Sequence, residues 1–165
     1  MTGETIVVLM FGVIVGVAAT VTMDVLGSVV RRAGLAAGAK GIWVGRWYLG
    51  IPHGQFVHPN IAAAPERPGE KQAALIGHYV IGIILAIVYV VGAGWLGISP
   101  AGMLLALGYG IATCVFPWFL VLPALGFGPF GLKGPKDLRL FTSSLLNHTF
   151  YGFGLWWTAK VLGLG

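Results

Sequence analysis

The chain has 165 residues, of which 57% are hydrophobic and only 9% are charged, and its formal net charge is +5. A water-soluble domain carries about 25% charged residues, so this chain has too few charges to cover a soluble surface. The composition therefore excludes a soluble domain and a disordered chain, and it indicates a membrane protein. The basic residues lie between apolar runs, where they act as topology signals, and nucleic-acid binding is not expected.

Four apolar segments are each long enough to cross a bilayer, which requires about 20 residues. They cover residues 6–30, 73–96, 101–125 and 140–162. The second and third segments are joined by a tight turn, whereas the other two connections, 31–72 and 126–139, are longer. The sequence predicts an all-α membrane protein, a single integral domain over residues 1–165 that forms a four-transmembrane-helix bundle.

The lysines and arginines are concentrated in the two longer connections. Six lie in residues 31–72 and three in residues 126–139, whereas Lys160 alone lies on the opposite side. Basic residues are retained on the cytoplasmic side of a membrane. Both long connections are therefore predicted to be cytoplasmic and both termini periplasmic.

The first cytoplasmic connection contains a pattern typical of a short helix. Aromatic and apolar residues recur at helical spacing, and Arg46 lies on another face; the recurring residues are Trp43, Trp47, Tyr48 and Ile51. Because tryptophan and tyrosine prefer the headgroup layer, we expect an interfacial helix here. A turn-rich stretch with His53 and His58 follows, and we interpret both histidines as exposed or interfacial. The charged run 65–71 is interpreted as a solvated loop.

Small residues in the first span indicate close helix packing. Gly12 and Gly16 form a Gly-x-x-x-Gly pair, which allows helices to approach each other in lipid. We interpret the pair as packing within the bundle, with dimerisation as the alternative. A homo-oligomer or a larger membrane complex therefore stays open as a partner, in addition to the lipid bilayer.

Three ionisable residues lie inside the predicted spans, namely Asp24, His78 and His148. Such residues are costly in lipid and are functional candidates by default. Each lies seven to nine residues from the nearest cytoplasmic base, which corresponds to about 10–13 Å along a helix. All three should therefore lie at a similar depth in the cytoplasmic half of the bilayer, together with Asn147.

Two further patterns bear on this cluster. His78 and His148 are each followed four residues later by glycine, and this weak internal repeat would make the two histidines face each other. In the third span, Pro117 cannot donate a hydrogen bond to the carbonyl of Thr113. We expect that carbonyl to require another donor.

Four roles for the cluster stay open. Asp24 could bond a histidine as a structural pair, or the cluster could form a transport or proton-coupled pathway. His78 and His148 could also hold haem or, with Asp24, a divalent metal, so the cofactor stays undetermined. Catalysis with a histidine as general base is the least favoured role.

We adopt the hypothesis that the chain is a small membrane protein that binds or transports a ligand or an ion. Arg46 and His58 are then expected to cover the polar site as lid contacts. The alternative from another class is a non-catalytic membrane subunit of a larger complex. An enzyme is the less favoured outcome.

Several motifs together resemble a family of small bacterial four-span membrane proteins of unknown function. They are Ala19–Asp24 (ATVTMD), Val44–Trp47 (VGRW), Gly54–His58 (GQFVH) and Gly77–Gly82 (GHYVIG). The resemblance extends over nearly the whole chain and implies a bacterial inner-membrane protein, but no activity, ligand or cofactor. It favours the motif-bearing Asp24, Arg46, His58 and His78 as functional residues.

Overall fold

The computed structural model describes residues 3–36, 39–134 and 139–164, and these residues are helical or irregular, with no strand among them. Six α-helices are described: α1 Gly3–Arg32, α2 Gly41–Gly50, α3 Glu70–Trp95, α4 Met103–Ala112, the single turn α5 Leu122–Ala124 and α6 Arg139–Val161. Short 3₁₀ turns cover Ile51–His53, Ile61–Ala63 and Pro129–Gly131. Residues 135–138 of the predicted third connection, with Lys136, lie outside the described residues.

Described segments from distant parts of the chain form two compact units. The first unit comprises Met1–Val29, Tyr79–Ala112 and Leu146–Gly165. The second unit comprises Val30–His78 and Thr113–Leu145.

Three helical stretches are long and apolar enough to cross a membrane, namely Thr5–Arg32, Glu70–Trp95 and Met103–Ala124. They correspond to the first three predicted spans. The fourth predicted span forms α6, but it does not reach the same hydropathy. The reason is a polar run in its first half: Thr142, Ser143, Ser144, Asn147 and His148.

The third span is not one regular α-helix. After α4 the backbone forms a turn and then a π-helical segment, Pro117–Val121, which leads into α5. The carbonyl of Thr113 accepts from the N–H of Phe116 at 3.1 Å. Pro117 therefore interrupts the regular α-helical hydrogen bonding, as expected. The donor to the Thr113 carbonyl is instead the N–H of Phe116 in the local turn.

Glycines set the closest helix approaches in the first unit. A Cβ atom added at Gly12 would lie 2.7 Å from Ile87 Cγ1, and one at Gly16 would lie 2.6 Å from Ile83 Cα. α1 and α3 of the same chain thus pack along the Gly-x-x-x-Gly face. In the same way, Gly152 of α6 approaches the Ala106 carbonyl of α4.

Gly16→Ala is expected to destabilise the protein by about 1–3 kcal/mol, because the added methyl group must displace the α3 backbone. SDS titration followed by far-UV circular dichroism measures the effect. Gly92→Ala is the matched control, since no atom lies within 4 Å of a Cβ at that helical position. Equal stability of the two variants would contradict this packing.

The second unit has its own core, which consists of Trp47, Ile61, Ala124 and Leu125. The segment around His58 packs against the C-terminal end of α5, where the N–H of His58 donates to the Ala124 carbonyl at 2.8 Å. The predicted helix around Arg46 is confirmed as α2. Its Trp47 is buried, and the indole N–H donates to the Phe56 carbonyl at 2.9 Å.

Candidate functional site

The start of α3 packs against α2 at a glycine in the second unit. Gly45 is buried, and a Cβ atom at this position would overlap the carbonyl oxygen of Glu70. The same Cβ would lie 2.9 Å from the backbone nitrogen of Ala74. The missing side chain therefore allows the neighbouring Arg46 to reach the first turn of α3.

Arg46 forms a buried, two-pronged ion pair with Glu70. Its Nε donates to Oε1 at 2.5 Å, and its Nη2 donates to Oε2 at 3.1 Å. The two residues are only 3% and 7% exposed. The hydrogen bond to Glu70 raises the pKa of the Arg46 guanidinium, against the lowering effect of burial. The pair is charge-neutral and geometrically specific.

The remaining donors of Arg46 organise the chain between the two helices. Nη1 donates to the carbonyls of Ile61 and Ala64, at 3.1 and 2.6 Å. Nη2 also lies 3.6 Å from a carboxylate oxygen of Glu66, whose side chain is 87% exposed. Arg46 thus makes four hydrogen bonds to protein groups, which connect α2 to Glu70 and to the chain at Ile61 and Ala64.

A cavity of about 380 Å³ lies beside this ion pair, within the second unit. The buried Arg46 and His58 line it, as do the exposed Gln55 and Val57. Arg67 also lines it, and its Nη2 donates to Gln55 Oε1 at 2.9 Å. The cavity therefore combines cationic and neutral donor groups.

His58 is only 8% exposed, which contradicts the expectation of an exposed side chain. Its backbone bond to α5 and its position beside the cavity place the ring inside the unit. The ring nitrogen Nδ1 is buried and has no hydrogen-bond partner among the described residues. His53, by contrast, is exposed, as expected.

A different polar contact lies in the first unit, between α1 and α3. The hydroxyl of Tyr79 donates to Oδ2 of Asp24 at 3.2 Å. Both residues belong to helical stretches that are long and apolar enough to cross a membrane. The carboxylate of Asp24 on α1 is thus hydrogen-bonded to a side chain of α3, and both helices are apolar.

Comparison with models of protein families assigns the chain to a family. The model of DUF2938, described as a protein of unknown function, matches residues 13–162. The chain belongs to the DUF2938 family. Comparisons with curated proteins and with solved structures find no match.

The DUF2938 match includes all six residues predicted from the sequence, and the structure brings two of them together. Arg46 and His58 line the same cavity. Asp24, Asn147 and His148 belong to the first unit, whereas His78 is the last residue of a segment of the second unit. That His78 and His148 face each other stays a prediction.

Metal binding has no geometric support in the described part of this DUF2938 chain. Within residues 3–36, 39–134 and 139–164, no group of three or more His, Cys, Asp or Glu side chains is placed to hold a metal ion. Cys114 is buried, and its Sγ lies 3.7 Å from the carbonyl oxygen of Ser144.

Glu70, Arg67 and Tyr79 were not predicted from the sequence. The interpretation of residues 65–71 as a solvated loop is wrong for Glu70, which is buried and begins α3. Its Oε1 also accepts from the N–H of Arg67 at 2.7 Å, in the turn that precedes the helix. No spacing pattern in the sequence marks this contact.

Proposed function

We propose that this DUF2938 protein is a four-span membrane protein that binds an ion or small ligand, or carries protons, with Asp24 as its charge-bearing group. In this proposal α6 is the fourth span, despite its polar first half. The proposed location is the bacterial inner membrane, with both termini periplasmic. The concentration of basic residues in two connections supports that orientation.

The observation that carries the proposal is the hydrogen bond between Tyr79 and Asp24. The other tyrosines of the first unit donate to neutral backbone carbonyls: Tyr89 to Pro100, Tyr109 to Leu85 and Tyr151 to Gly82. Those contacts are sufficient to join helices. Tyr79 instead holds an ionisable side chain, which a purely structural contact does not require and which is costly in lipid.

The roles of the other predicted residues follow from this assignment. His148 and Asn147 belong to the same compact unit as Asp24, and we propose them as further carriers or ligands. His78 directly precedes Tyr79 on α3 and has the same proposed role. An imidazole can accept and release protons near neutral pH, which suits a chain of carriers.

We expect Asp24→Asn to abolish proton flux in liposomes that contain the purified protein and an internal pH dye, after an imposed pH gradient. The amide keeps the shape of the side chain but cannot bind and release a proton. Glu66→Gln is the matched control, because it makes the same chemical change at an 87% exposed position.

Equal flux in Asp24→Asn and the unchanged protein would contradict the role of Asp24. If the unchanged protein shows no flux, proton carrying is contradicted. Copurification with a larger membrane assembly would then favour the alternative of a non-catalytic subunit, and such a partner or a homo-oligomer stays a proposal.

A further inference from the structure

We infer that the cavity of the second unit binds a phosphate group, with Arg67, His58 and Gln55 as the recognising side chains. This site is separate from the function proposed for Asp24 and does not depend on it. The phosphate could be free or could belong to a lipid headgroup, and the chemistry of recognition is the same for both.

Arg67 carries the positive charge that the cavity offers to a ligand. Its guanidinium donates only to neutral acceptors, namely Gln55 Oε1 and the carbonyl oxygen of Leu49 at 3.4 Å. No carboxylate of the described residues forms an ion pair with that guanidinium. The charge of Arg46, by contrast, is already balanced by Glu70. The charge of Arg67 also acts on the Glu70 carboxylate, but from beyond ion-pair distance. An anion in the cavity would therefore gain a guanidinium that is not already in an ion pair, and a guanidinium fits the oxygens of a phosphate.

Two further side chains complete the set of polar groups in the cavity. The Gln55 oxygen is occupied by Arg67, which leaves the side-chain nitrogen of Gln55 as a donor on the cavity wall. His58 lines the same cavity and is more than nine-tenths buried, with an unpartnered ring nitrogen. A phosphate offers several acceptor oxygens in different directions, so it can use donors from several walls.

The wider charge distribution favours an anion as well. Among the described residues of the second unit, eight are basic and two are acidic. The cavity volume of about 380 Å³ also lies within the range of small-ligand sites. One lining residue, Ala64, is held in place by the Nη1 group of Arg46.

Titration calorimetry of the detergent-purified protein with inorganic phosphate, at constant ionic strength, tests free phosphate. Native mass spectrometry with phosphatidic acid, and with diacylglycerol as the phosphate-free counterpart, tests the lipid source. We expect binding in at least one arm, and Arg67→Gln should weaken it about tenfold or more, as expected for a lost charged hydrogen bond. Lys71→Gln removes the same charge from an exposed position outside the cavity lining and should change little.

A second pair of variants keeps the test independent of folding. Val57 is 69% exposed and lines the cavity, so Val57→Glu should repel phosphate without disturbing a core, and Val57→Gln should not repel it. Binding by neither phosphate nor phosphatidic acid overturns the inference. Equal weakening by Arg67→Gln and Lys71→Gln also overturns it, because the attraction would then be general. Proton flux that depends on Asp24 would be unaffected by either outcome.

Discussion

Replacement of Arg46 with alanine is expected to destabilise the protein by about 3–5 kcal/mol, the cost of leaving one member of a buried ion pair without its partner. Glu70 would keep a carboxylate that is almost inaccessible to water. The carbonyls of Ile61 and Ala64 would lose their donor in the same change. SDS titration measures the loss of stability. Hydrogen exchange with mass spectrometry should show faster exchange in α2 and in residues 61–64.

Glu66→Gln is the matched control, since Glu66 approaches the same guanidinium from an 87% exposed position. An exposed pair contributes about 0–1 kcal/mol, so this variant should unfold almost as the unchanged protein does. The double variant Arg46→Met/Glu70→Met removes both charges and should recover much of the stability. An Arg46→Ala protein as stable as Glu66→Gln would contradict a buried, paired arginine.

Hydropathy and length were sufficient to locate the long helices. The predicted span 6–30 lies within α1, and 73–96 nearly coincides with α3, because an apolar run of this length has few alternatives to a helix. The fourth predicted segment does form α6. The mean hydropathy of α6 is nevertheless below that of a candidate span, because the five polar residues in its first half lower the average.

The ion pair between Arg46 and Glu70 could not be predicted from sequence patterns. Arg46 and Glu70 are 24 residues apart, and turns and irregular chain lie between their helices. No periodicity connects such residues, so the charged run 65–71 was indistinguishable from a solvated loop. Two glutamates of this run differ in burial, since Glu66 is exposed and Glu70 is buried.

Motif resemblance located Arg46 and His58 but could not assign their contacts. Both residues were expected to cover a site around Asp24, whereas they line a cavity of the second unit with Arg67 and Gln55. Their positions depend on how the first connection folds against α5, through the backbone bond of His58. Such long-range backbone pairing leaves no simple signature in the sequence.

Gly45→Ala should be the most damaging conservative change in α2, with a loss of stability at or above the usual range of about 1–3 kcal/mol for overpacking. The added methyl group would meet the carbonyl oxygen of Glu70, and the carbonyl carbon would lie only 2.8 Å away. Neither atom is the end of a flexible side chain. The helices must therefore separate, and this would also pull Arg46 away from Glu70. SDS titration and hydrogen exchange in α2 measure both effects.

Gly41→Ala provides the control on the same helix, because no atom lies within 4 Å of a Cβ at this position. Alanine favours the helical state relative to glycine, so this variant should be neutral or more stable by up to about 1 kcal/mol. The two variants have identical composition and differ only in what the methyl group meets. Equal stability of the two would show that α2 and the start of α3 are not in backbone contact. The ion pair would then lack the close approach on which its geometry depends.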